Sequence, residues 1–152
     1  MTLAGKADRD SFAALEHAIR GPVIGPWSAE YDATRQSFNA LIDRRPAVIA
    51  QCLDAAEVSV ALRFARDRGL PLAVRGGGHS VAGHGLVDGG LVIDLRRQRR
   101  VAVEALHHRA HAAGGATWQD LDDATQAHEL AVTGGTFVDT GIGGLTLGGG
   151  FG

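Results

Sequence analysis

Leu72-Ala-Val-Arg-Gly-Gly-Gly-His-Ser-Val-Ala-Gly83 is the stretch on which the fold turns. An apolar run of strand length ends at Arg75, three glycines follow, and His79 stands on the lip of the turn. Consecutive glycines carry no Cβ, so their amides can face inward together and form a concave nest for an anion, phosphate above all. Arg75 beside the nest offers a planar charge suited to phosphate oxygens. His79 is the first reactive side chain beyond it. These residues point to a phosphate-bearing ligand presented to His79; the plainer alternative is a tight turn that binds nothing.

The surrounding chain supplies a scaffold for that loop. Ala47 to Cys52 is an apolar run of strand length, and Asp54 then offers an N-cap with Glu57 in the capping-box position. Val58, Ala61, Leu62 and Ala65 share one helical face, and Gly69 ends the helix. Leu70 to Val74 follows as a second strand. A strand–helix–strand unit predicts two parallel strands joined by a right-handed crossover. The nest therefore falls just beyond the carboxyl end of the second strand, where ligands bind in α/β sheets.

Further along, Leu91 to Leu95 reads as a third strand. Val101 and Val103, then His107 to Ala113, alternate like an antiparallel pair. Thr117 caps a helix with Asp120 in the box position. Thr133 to Gly152 is rich in glycine and shows the pattern of neither helix nor strand. Upstream, Phe12, Leu15 and Ile19 mark a short helix over Asp8 to Arg20. Trp27 to Arg45 reads as loop and broken turns, with Tyr31, Phe38 and Leu41 as packing anchors. The class is α+β, divided into an N-terminal helix and extended segment, 1–41, and a ligand-binding domain, 42–152.

Bulk properties narrow the functions available. The chain has 152 residues, 45% hydrophobic and 21% charged, which suits one globular domain. A formal net charge of -2 gives no reason to expect nucleic acid or an acidic membrane surface as a partner. One cysteine, Cys52, excludes an internal disulfide and a multi-cysteine metal site. With no apolar run of membrane length and no secretion-type leader, the expected location is cytoplasmic. Glycine is the outlier: 22 residues, about twice the usual ~7% share, and 19 of them follow residue 68. They fall in clusters without a fixed period, as a long ligand touched at many points by backbone requires.

Familiar nucleotide signatures are missing. Gly76 and Gly78 fit G-x-G, but Val81 occupies the third glycine position, and no Gly-Lys-Ser/Thr occurs. His107 and His111 on one predicted strand stand about 13 Å apart, too far to share a metal ion. Arg96, Arg97, Arg99 and Arg100 read as the solvated rim of a hairpin.

Four separated motifs carry a resemblance. Arg75-Gly-Gly-Gly-His-Ser80, Val81 to His84 with Asp88 to Leu95, Gly114-Gly-Ala-Thr-Trp118, and Gly134-Gly-Thr136 leading into Gly141 to Gly152 are similar, in order and spacing, to the FAD-linked oxidase family with the PCMH-type flavin domain. The match is nearest to its berberine-bridge-enzyme-like oxidoreductases. The resemblance implies a PCMH-type α+β domain that stops short of the family's full length. It also implies FAD as cofactor and a small-molecule substrate.

Residue by residue, Arg75, Gly76, Gly77, Gly78, His79 and Ser80 would wrap the pyrophosphate, with Gly83 and His84 beside them. Gly135, Thr136, Thr140, Gly141, Gly143 and Gly144 would line the ring and the ribityl–phosphate chain. His79 aligns with the histidine that bonds to the flavin 8-methyl carbon, a role suited to a nucleophilic imidazole. Many relatives make a second bond through a cysteine, but Phe137 stands at that position, so one bond is the most this chain can form. The implied reaction is hydride removal from an alcohol, sugar or amine carbon. The family's base lies in parts absent from this sequence, so no catalytic residue is carried over. The alternatives are a truncated, non-catalytic piece that binds FAD weakly or not at all, and a phosphohistidine carrier using His79.

Overall fold

The computed structural model describes residues 8–150. A 3₁₀ turn, Arg9–Phe12, runs into helix α1, Ala13–Ala18, and is followed by strand β1, Val23–Ile24, and the one-turn helix α2, Tyr31–Thr34. The central unit is strand β2, Val48–Gln51, helix α3, Ala55–Asp67, strand β3, Leu72–Arg75, and strand β4, Leu91–Asp94. Strands β5, Val101–Glu104, and β6, Arg109–Ala112, pair antiparallel as a separate small sheet. Helices α4, Trp118–Gln126, and α5, Ile142–Gly148, complete the described chain.

The larger sheet has the order β1-β2-β4-β3. Strands β2 and β3 both run parallel to β4, which lies between them, and β1 is antiparallel to β2. The strand–helix–strand unit therefore skips one place in the sheet, and β4 fills it from later in the chain. Side chains alternate between the two faces, as a strand period of two requires. Val48, Ala50, Cys52, Leu91 and Ile93 pack with Phe12, Leu15, Ile19, Ala61, Phe64 and Ala65 on one side. Ile49, Val92 and Ala73 pack with Ile24, Tyr31 and Leu86 on the other. Cover on both faces explains why β2 and β4 read as nearly unbroken apolar runs. Cys52 is fully buried in the first layer, where burial pushes its thiol up to about 12.

Four local expectations change. At the start of α3, Asp54 caps the Glu57 amide (2.9 Å), but the Glu57 carboxylate does not close the box. It accepts instead from Leu53 N (2.9 Å), Arg20 N (3.1 Å) and Arg20 Nε (2.9 Å), tying the entry segment to the helix. The box at α4 is complete, with Thr117 and Asp120 reciprocally bonded. The glycine-rich tail contains α5 although three of its seven residues are glycine, each costing about 1 kcal/mol against alanine. Tertiary contacts override that cost: Ile142 N donates to Ala116 O (2.9 Å), and Gly141 bridges to Thr117. His107 sits in a 3₁₀ turn, Ala105–His107, rather than on a strand, and it and His111 approach the same Glu104 carboxylate, at 3.6 and 3.1 Å. Of the three aromatic and aliphatic anchors, Tyr31 is buried with its hydroxyl on Pro46 O, but Phe38 and Leu41 are 68% and 90% exposed.

The carboxyl end of the parallel sheet is built around one carboxylate. Gln51, Asp94 and Arg75 are in register as the last residues of β2, β4 and β3. Arg75 Nη2 donates to Asp94 Oδ2 at 2.6 Å, with both side chains about 1% exposed. Arg96 closes the other side of Asp94 through Nη2 (2.9 Å) and its own amide (3.1 Å). Burial opposes the charge on Asp94, yet the Arg96 hydrogen bonds and the Arg75 charge hold its carboxyl below the usual range. Glu57 is also lowered, because its backbone donors and Arg20 outweigh burial.

Replacing Asp94 by Asn leaves two guanidinium groups without their carboxylate and should cost roughly 3–5 kcal/mol. Urea midpoints of both proteins measure this, and a loss below about 1 kcal/mol, the range of a surface pair, contradicts it. Carboxylates with lowered folded-state pKa values contribute stability above their unfolded values and lose it as pH falls through the folded ones. Wild-type stability should therefore hold down to about pH 4 and drain below it, and the Asn variant should lose less over that acid window.

Candidate functional site

Beyond Arg75 the chain leaves β3 as Gly76-Gly77-Gly78, and the loop ahead of α5 crosses it. A Cβ on Gly77 would lie 2.6 Å from the Gly141 Cα, and one on Gly141 would lie 2.7 Å from the Gly77 Cα. The two backbones touch, and no other residue type fits at the crossing. Gly78 turns the chain away with φ +83°, in the left-handed region that glycine enters without strain. Beside the crossing an open cleft of ≈ 500 Å³ runs from the β3 end to α5. Half of its lining residues are glycines, with Val74, Val81 and Leu145 as apolar borders.

His79 lines this cleft with its side chain 20% exposed. Consecutive residues of the second loop bracket it. Thr140 Oγ1 lies 3.5 Å from Nδ1, and Asp139 Oδ2 lies 3.5 Å from Nε2. Phe38 stacks on the imidazole face, centroids 4.5 Å apart and planes 14° from parallel. Its amide donates to Gly78 O (3.1 Å), so the segment after α2 runs along the glycine loop. The exposed aromatic that looked like a packing anchor is thus part of the site. Nothing in its spacing shows this, because the contact joins residues 41 apart.

Ten of the fourteen residues expected at the site line the cleft: Arg75, Gly76, Gly77, Gly78, His79, Ser80, His84, Thr140, Gly141 and Gly144. The other four do not line it. Gly83 is buried against Ile42, and Gly135 packs on the Trp118 indole, leaving no space for a side chain at either. Gly143 lies beside the Gly114 carbonyl, and Thr136 is exposed. Arg75 touches the cleft wall, but its two terminal nitrogens donate to Asp94 and to Gln36 O (3.3 Å), and its Nε is buried without a partner. That charge is spent within the fold, on a carboxylate as buried as itself. Ser80 Oγ accepts from the His84 amide (3.0 Å) and shapes the loop beyond the histidine. The arginine rim is engaged rather than merely solvated: Arg97 donates to Gln51 (2.7 Å) and Arg99 to Asp120 (2.8 Å).

The crossing predicts a sharp response to one methyl group. Gly77→Ala should push the two loops apart and destabilise the chain by about 1–3 kcal/mol, the usual cost of overpacking. Gly89→Ala, with open space around its Cβ but a positive φ, serves as the comparison for backbone strain alone. Unfolding free energies measure both, and an equal loss at the two positions contradicts the crossing as the cause.

Comparison with known proteins agrees with this geometry. Residues 46–152 match the FAD binding domain family. The (R)-6-hydroxynicotine oxidase of Paenarthrobacter nicotinovorans is 36% identical over 135 residues, covering 89% of this chain and 30% of that protein. A structure of Physcomitrella patens BBE-like 1 superposes with a TM-score of 0.87 at 26% identity, covering 93% of this chain and 31% of the other. Glucooligosaccharide oxidase from Acremonium strictum, which carries a 6-S-cysteinyl, 8α-N1-histidyl FAD, gives 0.82 at 28%, covering 97% and 30%. The chain thus spans about 30% of the length of these relatives. A crossed pair of glycine loops at the end of a parallel sheet and a family pattern over most of the length lead to one assignment: this chain belongs to the FAD-linked oxidase family, through an FAD-binding domain of the PCMH type.

Proposed function

We propose that this chain holds the FAD of an oxidoreductase that takes hydride from an alcohol, sugar or amine carbon, and that the flavin is bonded to His79. The observation that carries the reading is the Gly77–Gly141 crossing with His79 at its edge. A diphosphate chain needs several N–H groups within one small volume, and only side-chain-free backbone lets it approach that closely. Gly76 to Ser80 border the cleft from one loop, and Thr140, Gly141 and Gly144 border it from the other. Bound there, FAD supplies the hydride acceptor. The chain's own residues bind and orient it: Arg75 and Asp94 fix the root of the loop, Val74, Val81 and Leu145 give an apolar border, and His79 is the tether. Phe137 is 71% exposed and has no thiol, so attachment through a single bond fits this chain.

A second reading, a non-catalytic domain that holds FAD weakly or not at all, is favoured by Arg75, whose charge faces Asp94 instead of a ligand.

Expression with added FAD separates the two. The first reading predicts a yellow protein whose flavin survives acid precipitation, while His79→Ala releases all of it into the supernatant. A colourless wild type at saturating FAD contradicts the binding site. Yellow protein that loses its flavin to acid contradicts the covalent link alone.

A further inference from the structure

The two residues that bracket His79 differ in what they can do with a proton. Thr140 carries a hydroxyl, which both donates and accepts. It can satisfy Nδ1 whether or not that nitrogen bears hydrogen, so it selects neither tautomer. Asp139 carries a carboxylate, and in the ionised form a carboxylate only accepts. With Oδ2 3.5 Å from Nε2, its charge favours the form in which Nε2 holds the proton. A neutral imidazole has one N–H and one lone pair, so the lone pair then resides on Nδ1.

We infer that Asp139 is a positioning residue that keeps the His79 proton on Nε2 and leaves Nδ1 as the nucleophilic nitrogen facing Thr140. The arrangement repeats the logic by which a carboxylate fixes the tautomer of a reactive histidine elsewhere in enzymes. Here the carboxylate is 72% exposed, so it biases the equilibrium rather than locking it. Phe38 does the complementary task. Stacked on the ring face at 4.5 Å, it sets the plane in which the two nitrogens reach their partners, and it shields that face from water. The use made of the Nδ1 lone pair rests on the flavin-tether reading above, whereas the position of the proton does not.

The proton can be located without any flavin. Long-range ¹H–¹⁵N correlation of His79 in the apo chain, at about pH 8 and above the ordinary imidazole range, reports which nitrogen is protonated. The wild type should show Nε2–H as the major form. Asp139→Asn, isosteric but able to donate as well as accept, should raise the share of Nδ1–H about two- to fivefold, the scale of an exposed charge contact. Asp139→Glu keeps an acceptor-only group and should restore the wild-type ratio. Nδ1–H as the major wild-type form, or one ratio shared by wild type and Asn, overturns the inference. Acid-stable flavin measured on the same three proteins keeps the two ideas apart. A chain that takes up no FAD defeats the function proposed above, and the nitrogen shifts still decide where the proton sits.

Discussion

The ion pair between Arg75 and Asp94 organises everything at the cleft. Both residues end parallel strands and are in register, so the charges meet where the sheet stops and the glycine loop begins. A charge so deeply buried demands partners, and Arg75 and Arg96 supply them. Arg96 turns back onto Asp94, its Nη2 also reaching Thr34 O (3.2 Å), while Arg75 donates to Gln36 O (3.3 Å). Two arginines thus hold the backbone of residues 34–36, and two residues later Phe38 lies on His79. One carboxylate in the core therefore reaches the His79 ring through a short series of contacts.

The glycine crossing is the second constraint, and it is steric rather than electrostatic. Touching backbones at Gly77 and Gly141 make a wall of peptide groups with no side chain in the way. The same crossing brings Asp139 and Thr140 to the two nitrogens of His79. Packing of the loops and presentation of the histidine are consequences of one approach, which is why α5 forms despite its glycines. Its first amide is taken by Ala116 O, so the tail is held by its neighbours rather than by its own propensity.

Features set by local periodicity were legible in the sequence. Short continuous apolar runs marked β2 and β4, the Asp54 and Thr117 caps marked α3 and α4, and the triple glycine after β3 marked the cleft. Features made by distant contacts were not. β4 between β2 and β3 depends on pairing across some 20 to 40 residues of chain. Phe38 had the composition of a core residue and became part of the site through a stack that no spacing encodes. Arg75 illustrates the limit most clearly. Its type and place suggested an anion ligand, but only the register with Asp94 shows that its charge is already used.

The central claim is that crossed glycine backbones, rather than a charged side chain, form the cofactor cradle. Amide hydrogen exchange of the chain with and without FAD tests it most directly, since the cradle's donors are the exchanging groups themselves. Slowed exchange at residues 76–80, 141, 143 and 144 together, with strands β2 and β4 unchanged, is the predicted result. Protection confined to some other surface, or none at saturating FAD, would contradict it.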